Sequence, residues 1–307
     1  MTGNLIKQIL KGDVRAVALL MSRIEDGEPK AKSVLKTIYS HTGKAHVIGV
    51  TGAAGTGKSS LIDRMTAEYR RRKKTVGILA VDPTSLFSAG ALLGDRIRMR
   101  EHFVDDGVFI RSFATRGRGG GVSTAVREGI HLLDAAGKDV IFVETIGVGQ
   151  DQLEIAALAQ MVVVVLTPQT GDEVQGMKAG LAEIADILLI NKADLPGADE
   201  TVQRLEDLFA NENLPVIATS AIKDQGIDSL VDRIEEHRRK SRDNAKYQSR
   251  RLSLCRQELV SLLREKIFSE LAKKISDDSL ETQVKRIAER QIDPYTAADQ
   301  IAKRLGV

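Results

Sequence analysis

The sequence has one cysteine, Cys255, among 307 residues, so no disulfide can form within the chain. A chain without disulfides suits a reducing compartment, and a cytoplasmic location is expected. Aromatic residues make up only 4%, which argues against base stacking on aromatic platforms as a main theme. The net charge of +3 is too small to mark a nucleic-acid surface, so nucleic acid is not an expected partner. No apolar run approaches the ~18 residues of a membrane span. The opening stretch M-T-G-N-L-I-K-Q-I-L-K-G-D lacks the apolar core of a signal peptide. Neither a membrane span nor a secretory signal is expected.

What is present fits a folded core with appendages: 42% of residues are hydrophobic and 28% charged. Residues 1–42 form an N-terminal helical extension in this reading. Asp13 is placed to cap a helix through V-R-A-V-A-L-L-M-S-R-I that stops at Asp26-Gly27. Pro29 opens a second helix through Val34, Leu35 and Ile38.

Over residues 43–236 the rhythm changes to short apolar runs separated by amphipathic stretches. The runs are 45–50, 75–82, 108–113, 139–144, 161–166, 187–191 and 215–220. Several are continuously apolar, as strands covered on both faces are. The expected fold class is therefore α/β, a doubly wound and mostly parallel sheet. Ligands in such sheets sit beyond the carboxyl ends of the strands. In the third region, residues 237–307, the strands stop. Residues 237–251 carry seven Lys or Arg against one acid, and the plain reading is a solvated basic helix. Leu254, Leu259, Leu262, Leu263, Ile267 and Leu271 then form an apolar stripe, and Pro294 opens a last helix to Leu305. This region reads as an arm that packs on its own domain or on a second subunit.

Gly52-Ala53-Ala54-Gly55-Thr56-Gly57-Lys58-Ser59 fits G-x-x-x-x-G-K-[ST] between a strand and a helix that begins at Ser60. Glycines let backbone N–H groups turn toward phosphate oxygens, aided by the helix N-terminus. Lys58 is expected on the β/γ-phosphates and Ser59 on Mg²⁺. Asn191-Lys192-Ala193-Asp194 follows a strand and fits N-K-x-D. Asp194 can accept from the N1–H and exocyclic amine of guanine, while adenine offers no such donor pair. Thr219-Ser220-Ala221, with Ile222 behind it, ends the next strand and fits the loop that completes guanine recognition. GTP or GDP with Mg²⁺ is therefore the expected ligand set.

Acids mark the metal side. Asp82 ends a strand, and Pro83 keeps it out of a following helix. Asp95 lies on a small-residue segment of the kind that forms a switch loop, with a helix N-cap as its bland alternative. Glu144 opens E-T-I-G, where a nucleotide switch usually reads D-x-x-G; Gly147 then supplies a backbone N–H to the γ-phosphate. Val148 stands where a water-orienting glutamine often follows that glycine, and Gln150 lies close by. Lys58, Asp95 and Glu144 are thus the catalytic candidates. The basic, glycine-rich loop from Arg116 to Gly121 and the stretch 169–178 are further candidates for mobile elements near the nucleotide or a partner.

Taken together, T-G-A-A-G-T-G-K-S (51–59), A-V-D-P-T-S (80–85), L-G-D-R-I-R-M (93–99), V-E-T-I-G-V-G-Q (143–150), G-D-E-V-Q-G-M-K (171–178), N-K-A-D (191–194) and D-P-Y-T-A-A-D (293–299) resemble the methylmalonyl-CoA mutase-associated GTPases of the SIMIBI class. The resemblance implies a GTPase that chaperones an adenosylcobalamin-dependent acyl-CoA mutase, gating cofactor loading and protecting or reactivating the enzyme. It also implies a homodimer held by the C-terminal arm. It places Asp95 in a first switch, Glu144 in a second, and residues 170–178 in a further switch facing the mutase. Many members carry a proline inside the phosphate loop where this chain has Ala53-Ala54, a change with little effect on a loop that works through backbone N–H groups. Three rival readings stand beside it. A metallochaperone GTPase needs clustered soft or imidazole ligands. An RNA- or ribosome-associated GTPase would use the 237–251 stretch, and a small-molecule kinase would need an acceptor pocket.

Overall fold

The apolar runs become seven strands in the computed structural model, which describes residues 2–82, 99, 102, 104–114, 121–145, 155–170, 174–212, 214–241, 245–274 and 277–305. They are β1 His46–Thr51, β2 Val76–Asp82, β3 Val108–Ala114, β4 Val140–Thr145, β5 Met161–Leu166, β6 Ile187–Ile190 and β7 Val216–Ala218. All pair in parallel, in the order β3-β2-β4-β1-β5-β6-β7. After β1 the chain builds one side of the sheet, and after β4 it crosses to build the other. The carboxyl end of β1 thus lies at the point where the connections diverge, the usual ligand position in such a sheet.

The helices are α1 Thr2–Leu10, α2 Val14–Glu25, α3 Pro29–Ile38, α4 Lys58–Arg71, α5 Gly121–Ala135, α6 Val174–Ile184, α7 Ala198–Leu208, α8 Ile227–Ser241, α9 Ala245–Lys274, α10 Asp277–Ala288 and α11 Pro294–Leu305. The chain divides into two compact units, Met1–Arg251 and Leu252–Val307.

Strand alternation explains the continuous apolar runs. Val162, Val164 and Leu166 of β5 point into one core with α5, α6 and α7, while Met161, Val163 and Val165 point into another with α4 and α8. Period-2 geometry buries both sets, so neither face of the strand tolerates polarity. The N-terminal helices share the first core: Val17, Leu20 and Met21 of α2 and Val34 and Ile38 of α3 cluster with Val126, Ile130 and Leu133 of α5. Asp13 caps α2 as its sequence suggests, accepting from the Ala16 N–H at 2.7 Å. Arg111 on the edge strand β3 pairs with Glu25 at the end of α2.

One carboxylate fixes the join between these helices and the sheet. Buried Asp134 in α5 accepts from the backbone N–H groups of Gly43, Lys44 and Ala45 at 2.6, 3.1 and 3.0 Å. Replacing Asp134 by Ala leaves the buried Ala45 N–H without an acceptor, while the Gly43 and Lys44 N–H groups, on exposed residues, turn to water. The expected loss is about 2 kcal/mol of unfolding free energy, measurable by urea denaturation of the full chain.

Candidate active site

The phosphate loop needs glycine at two points for different steric reasons. Gly52 has φ +148°, and a Cβ there would sit 2.2 Å from the Val165 carbonyl oxygen. Gly57 has φ +90° as the N-cap of α4, and a Cβ there would lie 2.4 Å from the Asn191 side-chain nitrogen. The second contact is informative, because it brings the phosphate loop against the N-K-x-D motif. Asn191 Nδ2 donates to the Thr56 carbonyl at 2.8 Å, and Asn191 Oδ1 accepts from the Ala221 N–H at 3.2 Å. Asn191 is buried. Its amide therefore ties the phosphate loop to the loop after β7, a positioning role that the motif alone does not reveal.

On the phosphate side, Lys58 Nζ donates to the Gly52 and Ala53 carbonyl oxygens at 2.8 and 2.9 Å. Thr56 Oγ1 donates to the Ala53 carbonyl at 2.9 Å, which tightens the loop. Ser59, in the first turn of α4, donates to Glu144 Oε1 near the end of β4 at 2.7 Å. Both residues are buried. A hydroxyl beside a carboxylate is a hard oxygen donor set, so Ser59 and Glu144 fit a Mg²⁺ ion. Asp82 ends β2, and β2 pairs directly with β4. Asp95, Gly147, Val148, Gln150 and the Arg116 loop through residue 120 lie outside the described residues.

On the base side, Ser220 Oγ donates to Asp194 Oδ1 at 2.6 Å, and Lys223 Nζ lies 3.8 Å from Asp194 Oδ2. The Ser220 hydroxyl first, and then the Lys223 ammonium, hold the Asp194 carboxyl below the usual carboxylate range. Asp194 thus stays ionised, the acceptor-only form that two guanine donors require. Lys192 adopts φ +61°, and the next N–H, from Ala193, bonds the Thr219 carbonyl at 2.9 Å. A short antiparallel bridge between Ser220 and Gln225 closes the loop, while Ile222 stands 80% exposed at its tip. Lys223 is a contributor that the N-K-x-D pattern does not contain.

The chain matches the family model of the methylmalonyl Co-A mutase-associated GTPase MeaB over residues 14–276. A Pyrococcus abyssi protein classed as a GTPase is 44% identical over 314 residues, spanning 99% of this chain and 97% of its own. A mitochondrial methylmalonic aciduria type A homolog of Caenorhabditis elegans is 34% identical over 206 residues, spanning 62% of this chain and 52% of its own. Among solved structures, a LAO/AO transport system kinase aligns over 100% of this chain and 98% of its own, with a TM-score of 0.73 and 23% identity, a likeness of fold.

The Asn191 bridge predicts a specific phenotype. Asn191→Ala should weaken GTP and GDP together by roughly 10- to 100-fold, the loss of one to two buried hydrogen bonds, without changing the preference for guanine. Titrating fluorescent guanine and xanthine nucleotides against the full chain measures both quantities.

Proposed function

The chain belongs to the methylmalonyl Co-A mutase-associated GTPase family MeaB and hydrolyses GTP, and we propose that it does so in the service of an adenosylcobalamin-dependent acyl-CoA mutase. The family match over residues 14–276 carries this reading. The chaperone couples nucleotide state to cofactor loading and to protection or reactivation of the mutase. Cytoplasmic location fits the same reading, and among the described residues no helix is long and apolar enough to cross a membrane.

In the proposed mechanism the backbone N–H groups of residues 52–60 cradle the phosphates. Lys58 leaves the Gly52 and Ala53 carbonyls to meet the β/γ-phosphate oxygens, exchanging two neutral acceptors for charged ones. Ser59 would hold a Mg²⁺ ion, with Glu144, Asp82 and Asp95 as the acids beside it; when bound, the ion would supply charge neutralisation at the β- and γ-phosphates. Gly147 reads the γ-phosphate through its N–H. Asp194 accepts from guanine N1–H and N2–H, with Asn191, Lys192, Ser220, Ala221 and Ile222 shaping the base pocket. Val148 offers no group to orient water, so hydrolysis by the isolated protein is slow, and partner-ordered switches complete the site.

We also assign the exposed apolar side chains of α9 to a homodimer contact. Leu259, Leu263, Ile267 and Phe268 are all exposed in the single chain, more than a lone helix in water leaves uncovered without a partner. Three cations of the basic stretch before them are engaged internally: Arg238 bonds the Lys44 carbonyl, Lys240 pairs with Glu236, and Arg250 pairs with Asp186. That usage favours a protein partner over nucleic acid.

The decisive experiment is a GTPase assay on the purified chain with and without an adenosylcobalamin-dependent acyl-CoA mutase. Stimulation of at least about tenfold is expected, a floor well below the roughly 10³–10⁵ that a partner-supplied group can give; equal turnover in both conditions overturns the mutase reading. Asp194→Asn should weaken GTP binding and turn preference toward xanthine nucleotides, which present a carbonyl where guanine has its amine. Unchanged GTP affinity would refute the base assignment. Replacing Ile267 and Phe268 by Glu should convert a dimer to a monomer in light scattering.

A further inference from the structure

The loop after β7 brings a cation to the base acceptor. Residues 219–226 fold back on themselves through two backbone hydrogen bonds between Ser220 and Gln225, of 3.0 and 3.1 Å. Asp224 takes φ +53° and Gly226 φ +74°. A Cβ on Gly226 would sit 2.6 Å from the Ala218 carbonyl oxygen, so glycine lets the turn close this tightly. Lys223 follows Ile222 at the tip of the turn, and its backbone N–H bonds the Ser220 hydroxyl oxygen at 3.4 Å. The backbone that carries the Lys223 side chain is therefore held in place. The same Ser220 hydroxyl donates to Asp194 Oδ1 at 2.6 Å. The Lys223 ammonium lies 3.8 Å from the other oxygen, Oδ2, an ion-pair distance too long for a direct hydrogen bond.

Asp194 thus has a different anchor at each oxygen: a buried hydroxyl on one and a cation beside the other. The orientation of a carboxylate about its Cβ–Cγ bond is only weakly set by the side chain itself. One anchor leaves that rotation loose, and a second restrains it. Rotation matters for some bases and not for others. Guanine presents two donors side by side, N1–H and N2–H, and satisfies both only when the carboxylate plane is correctly turned. Hypoxanthine, which lacks the exocyclic amine, presents N1–H alone, and either oxygen can accept it over a wide range of carboxylate angles. We propose that Lys223 is a specificity-determining residue of the nucleotide site: it fixes the rotation of the Asp194 carboxylate and so selects guanine over bases with a single donor on that edge. This rests on the base-recognition reading given above. The Lys223 side chain is 54% exposed, so water and salt screen its pull. It sharpens a selectivity that Asp194 itself creates.

The test measures Kd for GDP, IDP and ADP by calorimetry on the full chain and its variants Lys223→Met, Lys223→Arg and Lys223→Glu. The quantity read is the ratio of the IDP Kd to the GDP Kd. Lys223→Met keeps an apolar stem without the charge, and its ratio should fall about two- to fivefold, the scale of an ion pair open to water. Lys223→Arg keeps the cation and should keep most of the ratio, while Lys223→Glu should lower it further than Lys223→Met does. At about 1 M salt, where the Debye length is about 3 Å, the wild-type ratio should drop toward that of Lys223→Met. Both diphosphates carry the same charge, so the effect of salt on the phosphate loop cancels in the ratio. An unchanged ratio in Lys223→Met overturns the proposal. So does a loss of GDP and IDP affinity by the same factor, which marks a residue that only holds the loop. Tighter GDP binding in Lys223→Met also overturns it, because the ammonium would then be competing with guanine for Asp194. A wild type that binds IDP or ADP as tightly as GDP would instead sink the base-recognition reading itself.

Discussion

The Asn191 side-chain amide sits between the loop after β1, at the sheet's diverging point, and the loop after β7, at the sheet's edge. Its nitrogen holds the Thr56 carbonyl, and its oxygen holds the Ala221 N–H. Neither loop has regular secondary structure at that point, so neither has a ladder of its own to fix it. One planar group with a donor and an acceptor at fixed separation supplies the missing constraint. The phosphate loop and the base loop then behave as one rigid receptor. Gly57 is the steric counterpart, since any side chain there would collide with the same amide. Preorganisation of this kind lets binding free energy go into the ligand rather than into ordering the site.

Around that centre the contacts extend by helical and strand periodicity. The face of α4 that presents Ser59 to Glu144 continues to Asp63 and Arg70, and so reaches His102 and Asp105. The first pair joins β4 to the helix that opens at the phosphate loop, and the other two join that helix to the connection between β2 and β3.

Much of this was legible in the residues. The continuously apolar runs at β1, β4, β5 and β6 announced a two-sided parallel sheet, because alternation cannot appear when both faces are covered. The phosphate loop and N-K-x-D motifs were readable because backbone geometry demands glycine and base chemistry demands a carboxylate. Contacts between residues distant in the chain were not legible. That Asn191 would tie two loops together, that Lys223 would stand beside Asp194, and that Asp63 would find His102 all depend on tertiary packing. Asp63 had only its spacing from Ser59 to offer, and many helical acids share that spacing without a partner. Likewise, the helices of residues 2–38 read as an appendage by pattern, yet their apolar faces belong to the same core as α5.

That shared core has a consequence for the order in which the chain becomes structured during synthesis. The Asp134 clamp closes on residues separated from it by 89 to 91 positions. The helices before it have no sheet to rest on until β4 and α5 have emerged. A ribosome adding about 5–20 residues each second therefore leaves the first forty or so residues waiting for several seconds, with the apolar faces of α2 and α3 still open. The amino-terminal segment is made first and seated late. Chaperones that patrol the exit tunnel thus have a defined interval, and a defined apolar target, in which to act on this protein.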